Sequence, residues 1–271
     1  MDFLGLRTLT VLKDAVKNVK ASQGIDIDID HIDLNDKKVL DFIGTGRTEG
    51  VFQLESSGMK QVLVGLQPQN LEDVIALISL YRPGPMDSIP TYLRNRHEPD
   101  KISYKTPQLA HILDVTNGCI VYQEQVMQIF RELAGFSFGQ ADNVRRAMSK
   151  KKHAVMEAER EHFVHGCTEP GHECPGCVAN GIPEQVANQI YDEMSSFASY
   201  AFNKSHAACY AYVAFQTAYL KCHYPSQFMA ALLTSVLDNT DKVIEYSGEC
   251  ARLGIKVLPP DVNVSNGGFT A

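Results

Sequence analysis

The sequence contains no tryptophan, no low-complexity tract and no long apolar run. A membrane-spanning helix needs about 20 consecutive apolar residues, and no segment approaches that length. The first residues carry scattered charges where a secretory signal requires an unbroken apolar stretch. Seven cysteines are an odd number, which suits a reduced compartment better than a disulfide framework. These absences argue against a membrane protein and a secreted disulfide scaffold, and they predict a cytoplasmic protein without a membrane partner.

The chain is acidic but contains enough apolar residues for a substantial core. It has 271 residues, of which 44% are hydrophobic, so one large domain or two modest ones are expected. The formal net charge of -7 argues against a protein that coats nucleic acid over its whole surface. A local basic site remains compatible with this charge, because electrostatic fields concentrate at clusters of charge.

Apolar residues recur at helical spacing through most of the chain, which predicts a mainly α fold with few short strands. Asparagine, aspartate or proline begins several of these segments, and glycine or proline ends them, as is typical of helix termini. The predicted helices lie within residues 3–19, 35–44, 70–82, 122–135, 183–202, 205–225 and 225–254 (two helices in the last range). The strand candidates are "CIVYQ" at 119–123 and "IKVLP" at 255–259.

Five cations occupy the eight positions 145–152 of this acidic chain, namely Arg145, Arg146, Lys150, Lys151 and Lys152. On a helix they form adjacent basic ridges whose like charges repel, so an anion would stabilise them. Arginine offers a planar fork suited to phosphate, and lysine acts as a point charge. One interpretation is therefore a site for a polyphosphate or a nucleic-acid backbone. The other is a solvated basic face near a helix end, where the helix dipole favours cations.

A second polar cluster lies in "YAFNKSHAACYAY" and comprises Asn203, Lys204, Ser205 and His206. A helix N-terminus beside a lysine can bind an anion. Asparagine or serine at this point can instead be a plain helix cap, and the histidine can be a packed core residue. Arg82, in the stiff turn "YRPGP", either adds a cation to a binding site or only shapes a loop.

Two further patterns resemble metal sites. The run "IDIDIDHIDLND" holds five aspartates, but it does not fit a calcium loop, because His31 stands at the sixth-position glycine and Lys37 at the bidentate glutamate. We expect a solvated loop or edge there. The stretch "HGCTEPGHECPGCVANG" offers a possible tetrahedral zinc site at Cys167, His172, Cys174 and Cys177, although a surface loop with incidental cysteines is the favoured interpretation.

Eight motifs together resemble a known family. In chain order they are "MDFLGLRTLT", "GVFQLESSGMK", "LYRPGPMDS", "VYQEQVMQI", "RRAMSKKK", "FNKSHAACYA", "QTAYLKCHYPSQFMAALLTS" and "VLPPDVN". The set is similar to the C-family replicative DNA polymerases, the family of the bacterial DNA polymerase III alpha subunit, over nearly the whole chain. The resemblance implies that residues 1–12 are the C-terminal end of the palm. Residues 13–271 would be the mostly helical fingers domain, with a loop insertion at about 166–182.

The resemblance also implies roles for individual residues. Asp2 would be the third of three palm aspartates that hold two magnesium ions, and the other two have no counterpart in this sequence. Arg145 and Arg146 would bind the triphosphate of the incoming dNTP, and Lys150 and Arg82 would lie near phosphate. The residues Asn203, Lys204, Ser205 and His206 would line the pocket for the nascent base pair.

The implied function is nucleotidyl transfer by a DNA-directed DNA polymerase, with primer-template DNA and dNTP as partners. Other subunits of the replicase would contact regions outside this chain. Because only one of the three metal-binding aspartates is present, the isolated chain is expected to be inactive. A non-catalytic nucleotide- or DNA-binding module, or a truncated fragment without activity of its own, is the alternative.

Overall fold

The fold is mainly α-helical, as the sequence predicts. The computed structural model describes residues 5–150, 153–198, 200–263, 265 and 267–271, without the side chains of residues 149, 153, 154 and 198. In chain order the α-helices are α1 (Arg7–Gln23), α2 (Lys37–Gly44), α3 (Ser57–Leu66), α4 (Leu71–Leu80), α5 (Ile89–His97), α6 (Ala110–Leu113), α7 (Gln123–Ala134), α8 (Phe138–Ser149), α9 (His153–His165), α10 (Gly176–Ala179), α11 (Glu184–Ala198), α12 (Lys204–His223), α13 (Pro225–Ser235) and α14 (Thr240–Arg252). Short 3₁₀ turns lie at Ile29–His31, Pro85–Ser88, Pro99–Lys101, Pro107–Leu109 and Asp114–Thr116.

The two predicted strands do not form. Within the described ranges, β pairing is limited to a parallel bridge between Tyr122 and Phe202 and an antiparallel bridge between Cys167 and Cys174. The segment 119–123 therefore contributes one bridge and then starts α7, while the segment 255–259 is irregular. Both are short apolar runs, for which periodicity alone cannot separate a strand from another buried segment.

The chain divides into two compact units. The first unit comprises residues 1–74 and 209–271, and the second comprises residues 75–208. The predicted boundary after residue 12 separates two functional domains, palm and fingers, and not two compact units. It stays a prediction. No helix of the described residues has the length and apolarity that a membrane span requires.

In the first unit, α1 packs against α13, and α13 packs against α14. The apolar stripe of α1, with Val11, Leu12 and Ala15, joins a core that includes Phe228 and Leu232 of α13. The two helices also share a hydrogen bond, from Asn18 Nδ2 to the Gln227 carbonyl oxygen at 3.3 Å.

In the second unit, α7 is the central helix. Its side chains Val126, Ile129, Phe130 and Leu133 are fully buried and repeat at helical spacing. Helices α8, α9 and α11 pack around it. Gly135 closes the helix, as predicted. Its φ of 75° is the left-handed conformation that favours glycine at a helix C-terminus.

Candidate functional site

The basic cluster begins on α8, whose start is well specified by the sequence. Ser137 and Gln140 form a capping box, with Ser137 N donating to Gln140 Oε1 at 2.7 Å and Gln140 N donating to Ser137 Oγ at 3.3 Å. Ala141, Val144 and Met148 on one side of the helix are buried in the core of the second unit. This packing fixes the rotation of α8 and therefore the side on which its polar residues lie.

Asp142 organises both arginines of the cluster. Its Oδ1 accepts hydrogen bonds from Arg145 Nε at 3.0 Å and from Arg145 Nη2 at 2.7 Å. Its Oδ2 forms an ion pair with Arg146 Nε at 2.7 Å. The hydrogen bond from Arg145, with the charges of both arginines, lowers the pKa of Asp142 below its ordinary value despite an opposing effect of burial. One ionised carboxylate thus holds two guanidinium groups next to each other.

The two arginines differ in exposure. The Arg145 side chain is only 18% exposed, whereas the Arg146 side chain is 65% exposed. Arg145 extends inward, and its Nη1 donates to Gln123 Oε1 at 3.1 Å. Arg146 is therefore the one whose guanidinium is more accessible to a phosphate. Lys150 is exposed at the C-terminal end of α8, and Lys151 and Lys152 lie outside the described residues.

Gln123 joins the basic helix to the second predicted cluster. Its backbone N donates to the Phe202 carbonyl oxygen at 2.9 Å, beside the bridge between Tyr122 and Phe202. Its side-chain Nε2 donates to the Ala201 carbonyl oxygen at 3.0 Å. Residues that are about 80 positions apart in the sequence are thereby brought together at the start of α7.

The segment after Phe202 starts α12. Asn203 caps this helix, with its Oδ1 accepting from His206 N at 2.9 Å, as in the capping interpretation. Glu124 reaches the same helix start, because its carboxylate accepts from Lys204 N at 3.1 and 3.2 Å and from Asn203 Nδ2 at 3.0 Å. A carboxylate of the protein therefore already occupies the N-terminus of α12, where a free anion could otherwise bind.

The remaining side chains at this helix start border the same region. Lys204 Nζ lies 5.3 Å from the centre of the Tyr122 ring, and the ring centroids of Phe202 and His206 are 5.4 Å apart. Ser205 and His206 are exposed. The structure thus brings together Arg145, Arg146 and the predicted pocket residues through Gln123 and Glu124, which the sequence analysis did not single out.

Arg82 supports the segment that leads into α12. Its guanidinium lies 4.1 Å from the centre of the Phe202 ring, and its Nη2 donates to the Tyr200 carbonyl oxygen at 2.9 Å. Its Nε donates to the Ser79 carbonyl oxygen, also at 2.9 Å. Burial lowers the pKa of Arg82 from its ordinary value. Two of its three nitrogens are thus bonded to the backbone of the protein, and the predicted phosphate role of Arg82 stays a prediction.

The cysteine-rich loop folds into a small hairpin. Cys167 and Cys174 pair through two backbone hydrogen bonds of 2.9 Å each. Cys177 is fully buried in the core of the second unit, and its burial raises the pKa of its thiol to about 12. Across the described part of the chain, no group of three or more histidine, cysteine, aspartate or glutamate side chains is arranged to hold a metal ion. The residues Cys167, His172, Cys174 and Cys177 are therefore not arranged as a zinc site.

The aspartate run has local structural roles. Asp36 caps α2, with its Oδ1 accepting from Lys38 N at 2.9 Å, and its Oδ2 pairs with His223 Nε2 at 2.7 Å. Asp28 accepts from Asp30 N at 3.3 Å within the same run. Asp2, the aspartate for which the resemblance implies a metal role, lies outside the described residues.

Comparisons with known proteins agree with the motifs. A model of the finger domain of the bacterial DNA polymerase III alpha subunit matches residues 8–171. The DNA polymerase III subunit alpha of Thermus aquaticus is 50% identical over 274 residues, which cover 99% of this chain and 22% of the relative. The same subunit of Staphylococcus aureus (strain COL) is 44% identical over 266 residues, which cover 98% of this chain and 24% of the relative.

This chain thus spans about a quarter of the length of these relatives. The finger-domain match covers more than half of the chain, including α7, α8 and the arginine cluster. From the helical fold, the ordered motifs and these matches, the chain belongs to the finger-domain family of the bacterial DNA polymerase III alpha subunit.

Proposed function

We propose that this chain is the end of the palm (residues 1–12) and the fingers domain (residues 13–271) of a replicative DNA polymerase. In this role it binds the triphosphate of the incoming dNTP and contacts primer-template DNA. The observation that carries the proposal is the pair of guanidinium groups that one carboxylate, Asp142, holds side by side on α8. The proximity of α8 to the start of α12, through Gln123, supports a shared site.

The arginines supply charge and position. Arg146, at 65% exposure, offers its guanidinium to the triphosphate, and Arg145 adds a second positive charge beside it. Positive charge placed where negative charge accumulates on the departing pyrophosphate stabilises the transition state. Asn203, Ser205 and His206, at the start of α12, border the base pair, while Lys204 lies over the ring of Tyr122.

The family resemblance implies that this chain contributes Asp2 to magnesium binding and that two further aspartates of the polymerase lie outside this sequence. Among the described residues, no group of three or more potential metal ligands is arranged to hold an ion. When bound, two magnesium ions stabilise the attacking and leaving oxygens of phosphoryl transfer. The chain's own contribution is therefore to bind and orient the nucleotide, and we expect no DNA synthesis by the isolated chain.

The test replaces Arg146 by alanine in the complete polymerase subunit. We expect kcat/KM for dNTP incorporation to fall at least about tenfold, because a hydrogen bond to a charged group contributes roughly 1.5–3 kcal/mol. Arg252→Ala is the matched control, since the Arg252 side chain is 61% exposed and its Nε also pairs with a carboxylate, that of Glu249, at 2.7 Å. Unchanged kinetics for Arg146→Ala would remove the triphosphate role.

A further inference from the structure

Gln123 connects two parts of the site through its side-chain amide and its backbone N–H. Its Oε1 accepts from Arg145 Nη1, and its Nε2 donates to the Ala201 carbonyl oxygen. Its backbone N donates to the carbonyl oxygen of Phe202. The amide accepts on one side and donates on the other, which a carboxylate of the same length could not do because it cannot donate, and which a lysine could not do because it cannot accept.

These contacts determine the orientation of Arg145. The bonds from Nε and Nη2 to Asp142 hold one side of its guanidinium, and the bond from Nη1 to Gln123 holds the other. Asp142 lies on the same helix as Arg145, so that pair is local. Gln123 is the residue that relates the guanidinium to a different part of the chain.

The other end of the connection is the start of α12. Ala201 and Phe202 directly precede Asn203, the cap of that helix. Glu124, the neighbour of Gln123, accepts from Asn203 Nδ2 and Lys204 N. A displacement of residues 201–204 would therefore shift the start of α7 and, through Gln123, the guanidinium of Arg145.

We propose that Gln123 is a positioning residue that fixes the Arg145 guanidinium relative to the start of α12. This inference rests on the proposed function, because it makes the triphosphate contact depend on the segment that borders the base pair. Through Gln123, the position of residues 201–204 determines where the Arg145 charge stands. Loss of the amide keeps the positive charge of Arg145 but removes this restraint on its guanidinium.

The experiment uses Gln123→Met in the complete polymerase subunit, since methionine is of similar length and makes no comparable hydrogen bond. We expect KM for dNTP, and the inhibition constant of inorganic tripolyphosphate, to rise about three- to tenfold. We expect kcat to change less than about twofold and KM for primer-template to stay constant, since the positioning affects phosphate binding. A residue with only a structural role would lower the amount of active enzyme, and with it kcat, without this selective effect.

The matched control is Gln128→Met on the same helix. Among the described residues, the hydrogen bond shown for the Gln128 side chain is a local one, with Nε2 donating to Glu132 Oε1 at 2.7 Å within one turn of α7. We expect this variant to match the wild type in KM for dNTP and in the inhibition constant of tripolyphosphate. Gln123→Asn is a second variant, for use if methionine lowers the yield of folded protein. It keeps the amide but shortens the side chain by one methylene. We expect the same selective rise in KM for dNTP and in the inhibition constant of tripolyphosphate.

A double-mutant cycle with Arg145→Met separates the two hypotheses. In that background the partner of Gln123 is absent, so Gln123→Met should change KM and the inhibition constant less than about 1.5-fold. An equal effect in both backgrounds, or no effect in either, would overturn the positioning role alone. If Arg145→Met itself leaves both constants unchanged, the triphosphate role proposed for Arg145 fails as well.

Discussion

Lys221 is a buried cation whose bonds join three parts of the first unit. Its Nζ donates to Glu249 Oε1 at 2.6 Å and to the carbonyl oxygens of Arg47 and Glu49 at 2.9 and 2.7 Å. Its side chain is 0% exposed, and that of Glu249 is 3% exposed. Burial lowers the pKa of Lys221, and the hydrogen bond that its ammonium donates to Glu249 opposes this effect. The ammonium therefore stabilises the fold only while its three acceptors stay in place.

Replacement of Lys221 by methionine should lower the free energy of unfolding by about 3 kcal/mol, because Glu249 and two carbonyl oxygens lose their buried partner. Urea denaturation measures the change. The double variant Lys221→Met with Glu249→Met should recover part of the loss, since no buried charge is then left unpaired. A single variant as stable as the wild type would show that the ammonium is not required.

The cysteines should differ widely in reactivity. Burial raises the pKa of Cys177 to about 12 and that of Cys119 to about 11. At pH 8 a thiol of pKa 12 is ionised to about one part in ten thousand, and the thiolate is the reactive form. Cys209 is exposed. Iodoacetamide at pH 8, followed by mass spectrometry, should label Cys209 first and leave Cys177 unlabelled, and raising the pH should accelerate labelling of the buried thiols. Early labelling of Cys177 would contradict its burial.

At the scale of elements, the turn before α5 depends on Gly84. Its φ is 104°, and a Cβ there would lie 2.4 Å from Tyr200 Cδ1. Because Tyr200 is the residue whose carbonyl oxygen binds Arg82, this turn and the approach to α12 fit together only without a side chain at position 84.

Gly84→Ala should destabilise the protein by about 2 kcal/mol, because it adds backbone strain to a steric clash. Thermal unfolding measures the change. Gly171→Ala is the matched control, since its φ is 86° but nothing lies within 4 Å of the added carbon. If both variants lose the same stability, the contact with Tyr200 contributes nothing and only the backbone strain remains.

Several helices, among them α4, α7 and α11, could be predicted from the sequence, whereas α3, α5 and α9 lie outside the predicted segments and the connections between helices could not be predicted. The stripe of Val126, Ile129 and Leu133 and the stop at Gly135 are local signals, and they gave α7 correctly. Asp142 also carried a local signal, because it lies three and four positions before the two arginines and therefore on their side of the helix. The pairing of Gln123 with Ala201 spans 78 positions, and no local pattern encodes such a pairing.

At the scale of the whole molecule, the acidic chain carries a compact group of cations at α8. Three described cations, Arg145, Arg146 and Lys150, lie on or at the end of α8, against a net charge of -7 for the chain. We therefore expect this surface to contribute to any affinity for DNA.

Binding of the chain to a single-stranded oligonucleotide should weaken with salt. If three phosphates are neutralised, a plot of log affinity against log salt has a slope of about -2, or about 20-fold between 50 and 200 mM. Fluorescence anisotropy measures it. Arg145→Ala with Arg146→Ala should reduce the slope to about -0.7. Lys13→Ala with Lys17→Ala changes the net charge equally on exposed positions of α1 and should leave the slope unaltered. A slope that the arginine variant does not change would place DNA on another surface.

The division of the chain into units affects how the chain folds during its synthesis on the ribosome. The first unit is built from both ends of the sequence, and Asn18 of α1 bonds to Gln227 of α13, 209 positions later. At translation speeds of roughly 5–20 residues per second, α1 waits about 10–40 s for its partner helix to be made. The second unit is continuous, so all of its contacts can form within that interval. The apolar stripe of α1 is thus open to chaperones until α13 leaves the exit tunnel.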